Sequence, residues 1–143
     1  MKITQISIFL ENHAGRLHEV TALLGREQIN IRALTVAESR DFGVLRIVTD
    51  QPDRTLTVLK AGGFVASLTE IVAVEVSDTP GGLSGILGIL SENKVNVEYM
   101  YGFVEKHSEK ALLVFRFDNT DKAIEVLTRS NINVVGKKEI ETL

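Results

Sequence analysis

Two short stretches carry residue types that could hold a small polar ligand. One is Asp78-Thr79-Pro80-Gly81-Gly82-Leu83, the other Asn12-His13-Ala14-Gly15-Arg16-Leu17, and each runs from a strand-like apolar pattern into a helical one. The start of a helix exposes backbone N–H groups without intrahelical partners and carries a partial positive charge, which suits a carboxylate. Gly81 and Gly82 have no side chain to keep a ligand off the backbone. Pro80 is expected in the first helical turn, with Thr79 or Asp78 as N-cap. An ammonium group would need an acceptor, and the Asp78 carboxylate or the side-chain carbonyl of Asn96 could supply one. A capped helix with a tight glycine turn accounts for the same residues without any ligand. Asn30 and Asn96, beside Gln28 and Lys94, have the same bland alternative as turn residues.

Other chemistries fail on spacing. His18-Glu19-Val20-Thr21-Ala22 begins like a zinc-protease helix but has Ala where the second ligating His belongs. Gly81 to Gly88 is glycine-rich without the dinucleotide spacing or a phosphate-binding Lys. The chain has no cysteine, which removes disulfides, thiolate metal sites and a thiol nucleophile. Asp118 with Asp121 and Glu139 with Glu141 read as a solvated face, as do His13, His18 and His107. No cofactor or metal is expected. A net charge of -3 argues against a broad surface for nucleic acid. Polar Thr4, Gln5 and Ser7 interrupt the first apolar stretch, so neither a signal peptide nor a membrane span is expected, and a cytoplasmic location is the natural reading.

The elements that position these residues occur twice. Gly15 and Gly81, and likewise Asn30 and Asn96, stand 66 positions apart (81−15, 96−30). Downstream, Gly43 to Asp50 aligns with Ala111 to Asp118 at 68 positions (118−50), so two extra residues fall between Asn96 and Ala111, in a hairpin. Each half reads β-α-β-β-α-β. The first strand of half one lies around Ile3 to Leu10, and Leu17, Val20, Leu23 and Leu24 recur at helical spacing. A turn at Ser39 to Asp41 separates two strands, and Gly62-Gly63 stops the second helix. The second half repeats this as Ile71 to Val76, Gly82 to Glu92, Val95 to Val104, Ala111 to Phe117, Asp121 to Arg129 and Ile132 to Lys137. The expected fold is α+β: two tandem ferredoxin-like units, residues 1–69 and 70–143, each a four-stranded antiparallel sheet with two helices on one face. A unit of this size buries only about 60% of its unfolded surface and is marginal alone. The halves are therefore expected to pack as a pseudo-symmetric pair, joined through helices or sheet edges.

The tandem pattern resembles ACT domains, small modules that bind amino acids and regulate metabolic enzymes, over essentially the whole chain. An acidic or Asn residue, two residues, Gly, one residue, Leu at the first strand-to-helix turn, followed by apolar-Asn-apolar, carries the likeness. It appears as Asn12 to Leu17 with Ile29-Asn30-Ile31, and as Asp78 to Leu83 with Val95-Asn96-Val97. The resemblance implies a ligand enclosed where this turn meets the second strand of a neighbouring unit. It nominates Asp78, Thr79, Pro80, Gly81, Gly82, Leu83 and Asn96, with Asn12, His13, Ala14, Gly15, Leu17 and Asn30 as the paired set. It further implies a non-catalytic amino-acid sensor, a homodimer, and a metabolic enzyme as possible partner. Two alternatives share the fold. An RNA-binding module would need stacking aromatics where Leu112 and Val114 stand, and a small enzyme would need a catalytic pair that spacing does not reveal.

Overall fold

The computed structural model describes residues 1–105 and 109–143, so His107 lies outside the described residues. The first unit comprises β1 (Ile3–Glu11), α1 (Arg16–Arg26), β2 (Ile31–Glu38), β3 (Phe42–Thr49) and α2 (Pro52–Ala61), and it ends in the first part of β4 (Val65–Val76). The second begins in the remainder of β4 and continues through α3 (Gly82–Glu92), β5 (Val97–Gly102), β6 (Ala111–Phe117), α4 (Thr120–Arg129), β7 (Val134–Val135) and α5 (Lys137–Glu141). The longer helices end alike. Gln28, Gly63, Lys94 and Asn131 adopt positive φ after α1, α2, α3 and α4. The next residue, Ile29, Phe64, Val95 or Ile132, donates back to a carbonyl five positions earlier. This closure satisfies the last carbonyls and turns an apolar side chain back onto the helix.

Strand order is β2-β3-β1-β4-β6-β5, with β7 also on β4, and all pairings are antiparallel. β4 serves both units. Val65 to Ile71 pair with β1, Val72 to Val76 with β6. At the far ends Ala33 of β2 bridges Phe103 just beyond β5, so the sheet curls round on itself. Strand alternation then sorts the apolar residues into three cores. Ile6, Ile8, Leu10, Leu45 and Ile47 pack under α1 and α2. Val72, Val74, Val76, Phe115 and Phe117 pack under α3 and α4. The opposite faces, with Ile3, Val48, Ile71, Ala73, Leu112 and Val114, enclose a third core between the units.

The third core contains a polar knot. Gln5 is fully buried, and its amide donates to Ser7 Oγ at 3.1 Å and to the Tyr99 hydroxyl at 2.8 Å. The Tyr101 hydroxyl donates to Gln5 Oε1 at 2.6 Å, and the Arg46 guanidinium lies 4.0 Å from the centre of the Tyr99 ring. Buried polar atoms left unpaired cost more than the bond they would make, so this set favours one alignment of β1 against β5. Burial, with the Tyr99 phenol adding and Arg46 opposing, pushes the Tyr101 hydroxyl far above the usual tyrosine range.

The pseudo-symmetric pair of ferredoxin-like units matches the sequence reading, and of the two expected ways of joining, sheet edges are used: Ala33 of β2 bridges Phe103 beyond β5. The units also share β4 and pack their open sheet faces together, and the expected break at Glu70 falls inside β4. The last strand, expected over Ile132 to Lys137, is only β7. Lys137 onward forms α5 instead, which drops Ile140 into the third core.

Candidate functional site

The first candidate turn follows β1. Gly15 takes φ 92° and is the N-cap of α1, with no side-chain cap, so the first turn of the helix is left to backbone and solvent. Asn12 is spent on the fold: its Nδ2 donates to the carbonyls of Ser39 and Arg40, tying the turn to the β2–β3 hairpin. Arg16 dominates the chemistry here. Its guanidinium lies 2.8 Å from Glu11 and 2.7 Å from Glu19, and it stacks on Phe64 at 4.8 Å. His13 Nε2 stands 3.5 Å from the same Glu11 carboxylate. Asn12, His13 and Leu17 line a cavity of about 130 Å3 together with Leu10, Glu11, Arg16, Val36, Glu38 and Gly43. Ala14 and Gly15 sit in the turn but do not line it.

The second turn is built of smaller parts. Gly81, at φ 84°, is the N-cap of α3, again without a side-chain cap. This corrects the expectation that Asp78 or Thr79 would cap the helix and that Pro80 would lie in its first turn. Pro80 and Gly81 precede the helix, and Thr79 Oγ1 pairs with Ser77 Oγ at 2.9 Å instead. The Thr79 carbonyl accepts from Gly82 N at 3.0 Å. A Cβ on Gly82 would stand 2.0 Å from the Ser77 carbonyl oxygen, so no other residue fits there without moving the chain. Its counterpart in the first unit is Arg16, which the looser first turn accommodates. Leu83 is half-buried and packs against the core under α3.

Asn30 and Asn96 sit alike in their units. The backbone N–H of Asn30 donates to Asp50 and that of Asn96 to Asp118, each at 3.0 Å, while the carbonyls of the two Asn residues accept from the same two Asp residues. Both side-chain amides are exposed and have no partner among the described residues. Sequence reasoning missed Asp50 and Asp118 as the residues that fix these turns; their repetition at 68 positions was the available signal. Asn96 lines a surface cavity of about 430 Å3 with Leu87, Ser91, Lys94 and Val97.

The structure thus brings Asn12, His13 and Leu17 together, and separates each glycine turn from the Asn of its own unit. They occupy opposite ends of an 11-residue helix, about 16 Å apart at 1.5 Å per residue. α1 and α3 cover different cores, so the two helix starts do not share a helix layer. Among the described residues no group of three or more His, Cys, Asp and Glu could hold a metal, and no helix is long and apolar enough to cross a membrane. Leu112 and Val114, on the face an RNA-binding module would use, are buried between the units.

Comparison with known proteins agrees with this architecture. Protein BT0572 from Bacteroides thetaiotaomicron has 40% sequence identity and a TM-score of 0.94, covering 100% of this chain and 98% of that one. The regulatory subunit of aspartate kinase from Thermus thermophilus, in its ligand-free form, shares the fold at 16% identity and a TM-score of 0.64, covering 89% of this chain and 91% of that one. The corresponding subunit from Thermus flavus does so at 16% identity and 0.58, over 90% and 92%. No curated protein matches the chain by sequence. The family described as an ACT domain pair matches residues 1–143. With its doubled β-α-β-β-α-β order and repeated glycine turns, the chain belongs to the ACT domain pair family.

Proposed function

We propose that this protein is a cytoplasmic, non-catalytic regulator that binds a free amino acid, with the ligand carboxylate at a glycine turn and the rest enclosed by a neighbouring ACT unit. The observation that carries the reading is the repeated pair of α1 and α3 starts, each a left-handed glycine without a side-chain cap. α4 differs, because Asn119 Oδ1 accepts from Lys122 N at 3.1 Å and closes its first turn. Bare N–H groups at a helix start favour an anion by charge and by hydrogen bonding. The second turn, Asp78 to Leu83, is the better candidate, since it carries the Asp, the Pro and the paired glycines, with Gly82 where the first turn has Arg16.

The ammonium needs an acceptor, and the exposed side chain of Asn96 suits it. Because the turn and Asn96 lie at opposite ends of α3, one ligand can meet both only when a second chain supplies one of them. The reading therefore includes a homo-oligomer, at least a dimer, and a regulated partner such as a metabolic enzyme. Titration calorimetry with the common amino acids tests it. One or a few should bind, Asn96→Ala should weaken binding several-fold without loss of fold, and Asn12→Ala should act on stability more than on affinity. Equal affinity in wild type and Asn96→Ala would remove Asn96 from the site.

A further inference from the structure

β4 is paired unevenly. β6 and β7 both pair with Ala73 and Val74, so they flank β4 on opposite sides, and β1 and β6 are its neighbours on either hand in the sheet. Val65 to Thr69 have β1 on one side, and among the described residues no strand on the other. In a strand, the N–H and C=O of one residue point to the same side, and successive residues alternate. Two hydrogen bonds fix which residues point where. Glu75 N donates to Asn133 beside β7, whereas Glu70 O accepts from Arg116 of β6 at 2.8 Å. Even-numbered residues therefore aim their backbone groups away from β1, and those of Ala66 and Leu68 aim into the open edge.

This edge lacks the usual protection against strand pairing. Val65 to Thr69 contains no charge and no proline, and its pairing with β1 runs in unbroken register. Val65 is 67% exposed and Leu68 44%. The other outer strands are guarded: β2 has a register shift between Ile31 and Ala33 and closes onto Phe103, and β7 is only two residues long.

We propose that a second copy of this chain adds to this edge, β4 against β4 in antiparallel register about a two-fold axis at Ser67. The register follows from two constraints. Cross-strand partners must share a face, so paired residue numbers must be both odd or both even. The outward groups of Ala66 and Leu68 must meet each other. Both hold when Ser67 faces Ser67 of the second copy, Ala66 faces Leu68, and Val65 faces Thr69. Ala66 and Leu68 then exchange two backbone hydrogen bonds at each of two symmetric places, and the Ser67 pair is a close, non-hydrogen-bonded one. No like charges oppose one another along Val65 to Thr69, and the edge is self-complementary, as a two-fold contact requires. The contact is short, so its dimer is of the weak class that buries less than about 1,200 Å2.

Sedimentation equilibrium on the full chain tests this. Wild type should dimerise with rising concentration, Ser67→Glu and Ser67→Lys should each weaken dimerisation about fivefold or more, and mixing the two variants should restore it. Ser67→Cys adds a second reading, because the chain has no cysteine and the close pair lies within disulfide reach. Oxidation should crosslink it far faster than Val104→Cys, an exposed control. A monomeric wild type, charge variants that dimerise like wild type, or equal crosslinking of the two thiols would overturn the proposal. These results do not depend on whether an amino acid binds.

Discussion

The two strand-to-helix turns start from one pattern and end with different surfaces. In the first unit a side chain at the first helical position is tolerated, and Arg16 fills the space with an ion cluster that includes Glu11 and Glu19. In the second the chain folds in so closely that a Cβ on Gly82 would collide with the Ser77 carbonyl oxygen, and the first helical position carries no side chain. A repeat can thus keep its backbone plan while one copy sets internal ion pairs where the other has glycine. The first turn is held by its own ion pairs; the second has no side chain at its first helical position.

The sharpest way to break this comparison is Gly82→Ala. The added methyl meets backbone, not a flexible side chain, and destabilisation of more than about 2 kcal/mol is expected in a denaturant titration. An unchanged midpoint would mean that the second turn is no tighter than the first.

The junction between units comes next. Tyr101→Phe leaves the Gln5 carbonyl oxygen buried without its donor, at a cost of about 1–3 kcal/mol. The variant also changes the pH profile. The folded state holds the Tyr101 proton more tightly than the unfolded chain, whose tyrosines ionise near about pH 10. This contribution is therefore complete below pH 10 and is lost as pH rises further, by up to about 1.4 kcal/mol per unit. Wild type should lose stability above pH 10 more steeply than Tyr101→Phe; parallel curves would show that the phenol is not held in the inter-unit core.

Asn119→Ala separates capped from bare helix starts. Removal of this cap should cost about 1 kcal/mol by thermal denaturation. A negligible change would weaken the contrast between α4 and the starts of α1 and α3.

Much of this was legible in the sequence, because helix periodicity, glycine stops and the doubled spacing are local signals. Both unit folds follow from them, and α3 lies where Gly82 to Glu92 predicted it. The junction was not legible. Ile71 to Val76 are apolar on both faces, which marks a strand buried on both sides but not what covers it, so two strands meeting at Glu70 read the same as one passing through. α5 escaped because Lys137 to Glu141 is too short for periodicity to register, and Ile140 is fixed by a core that only the closed sheet creates. At the turns the residue types were visible, but their caps were misassigned. Asp78 and Thr79 are good N-caps by composition, and the left-handed glycine after them takes that position instead. Asn30 and Asn96 stood out by repetition, while the helix length that separates them from the glycine turns became decisive only in three dimensions.

Thermal denaturation in the presence of each common amino acid tests the central claim most directly. At a hundredfold its dissociation constant a ligand adds roughly 2.7 kcal/mol, which raises the midpoint of a chain this size by roughly 5 °C or more. The account predicts such a rise for one or a few amino acids and its reduction in Asn96→Ala. Midpoints unmoved by every amino acid at millimolar concentration would contradict it.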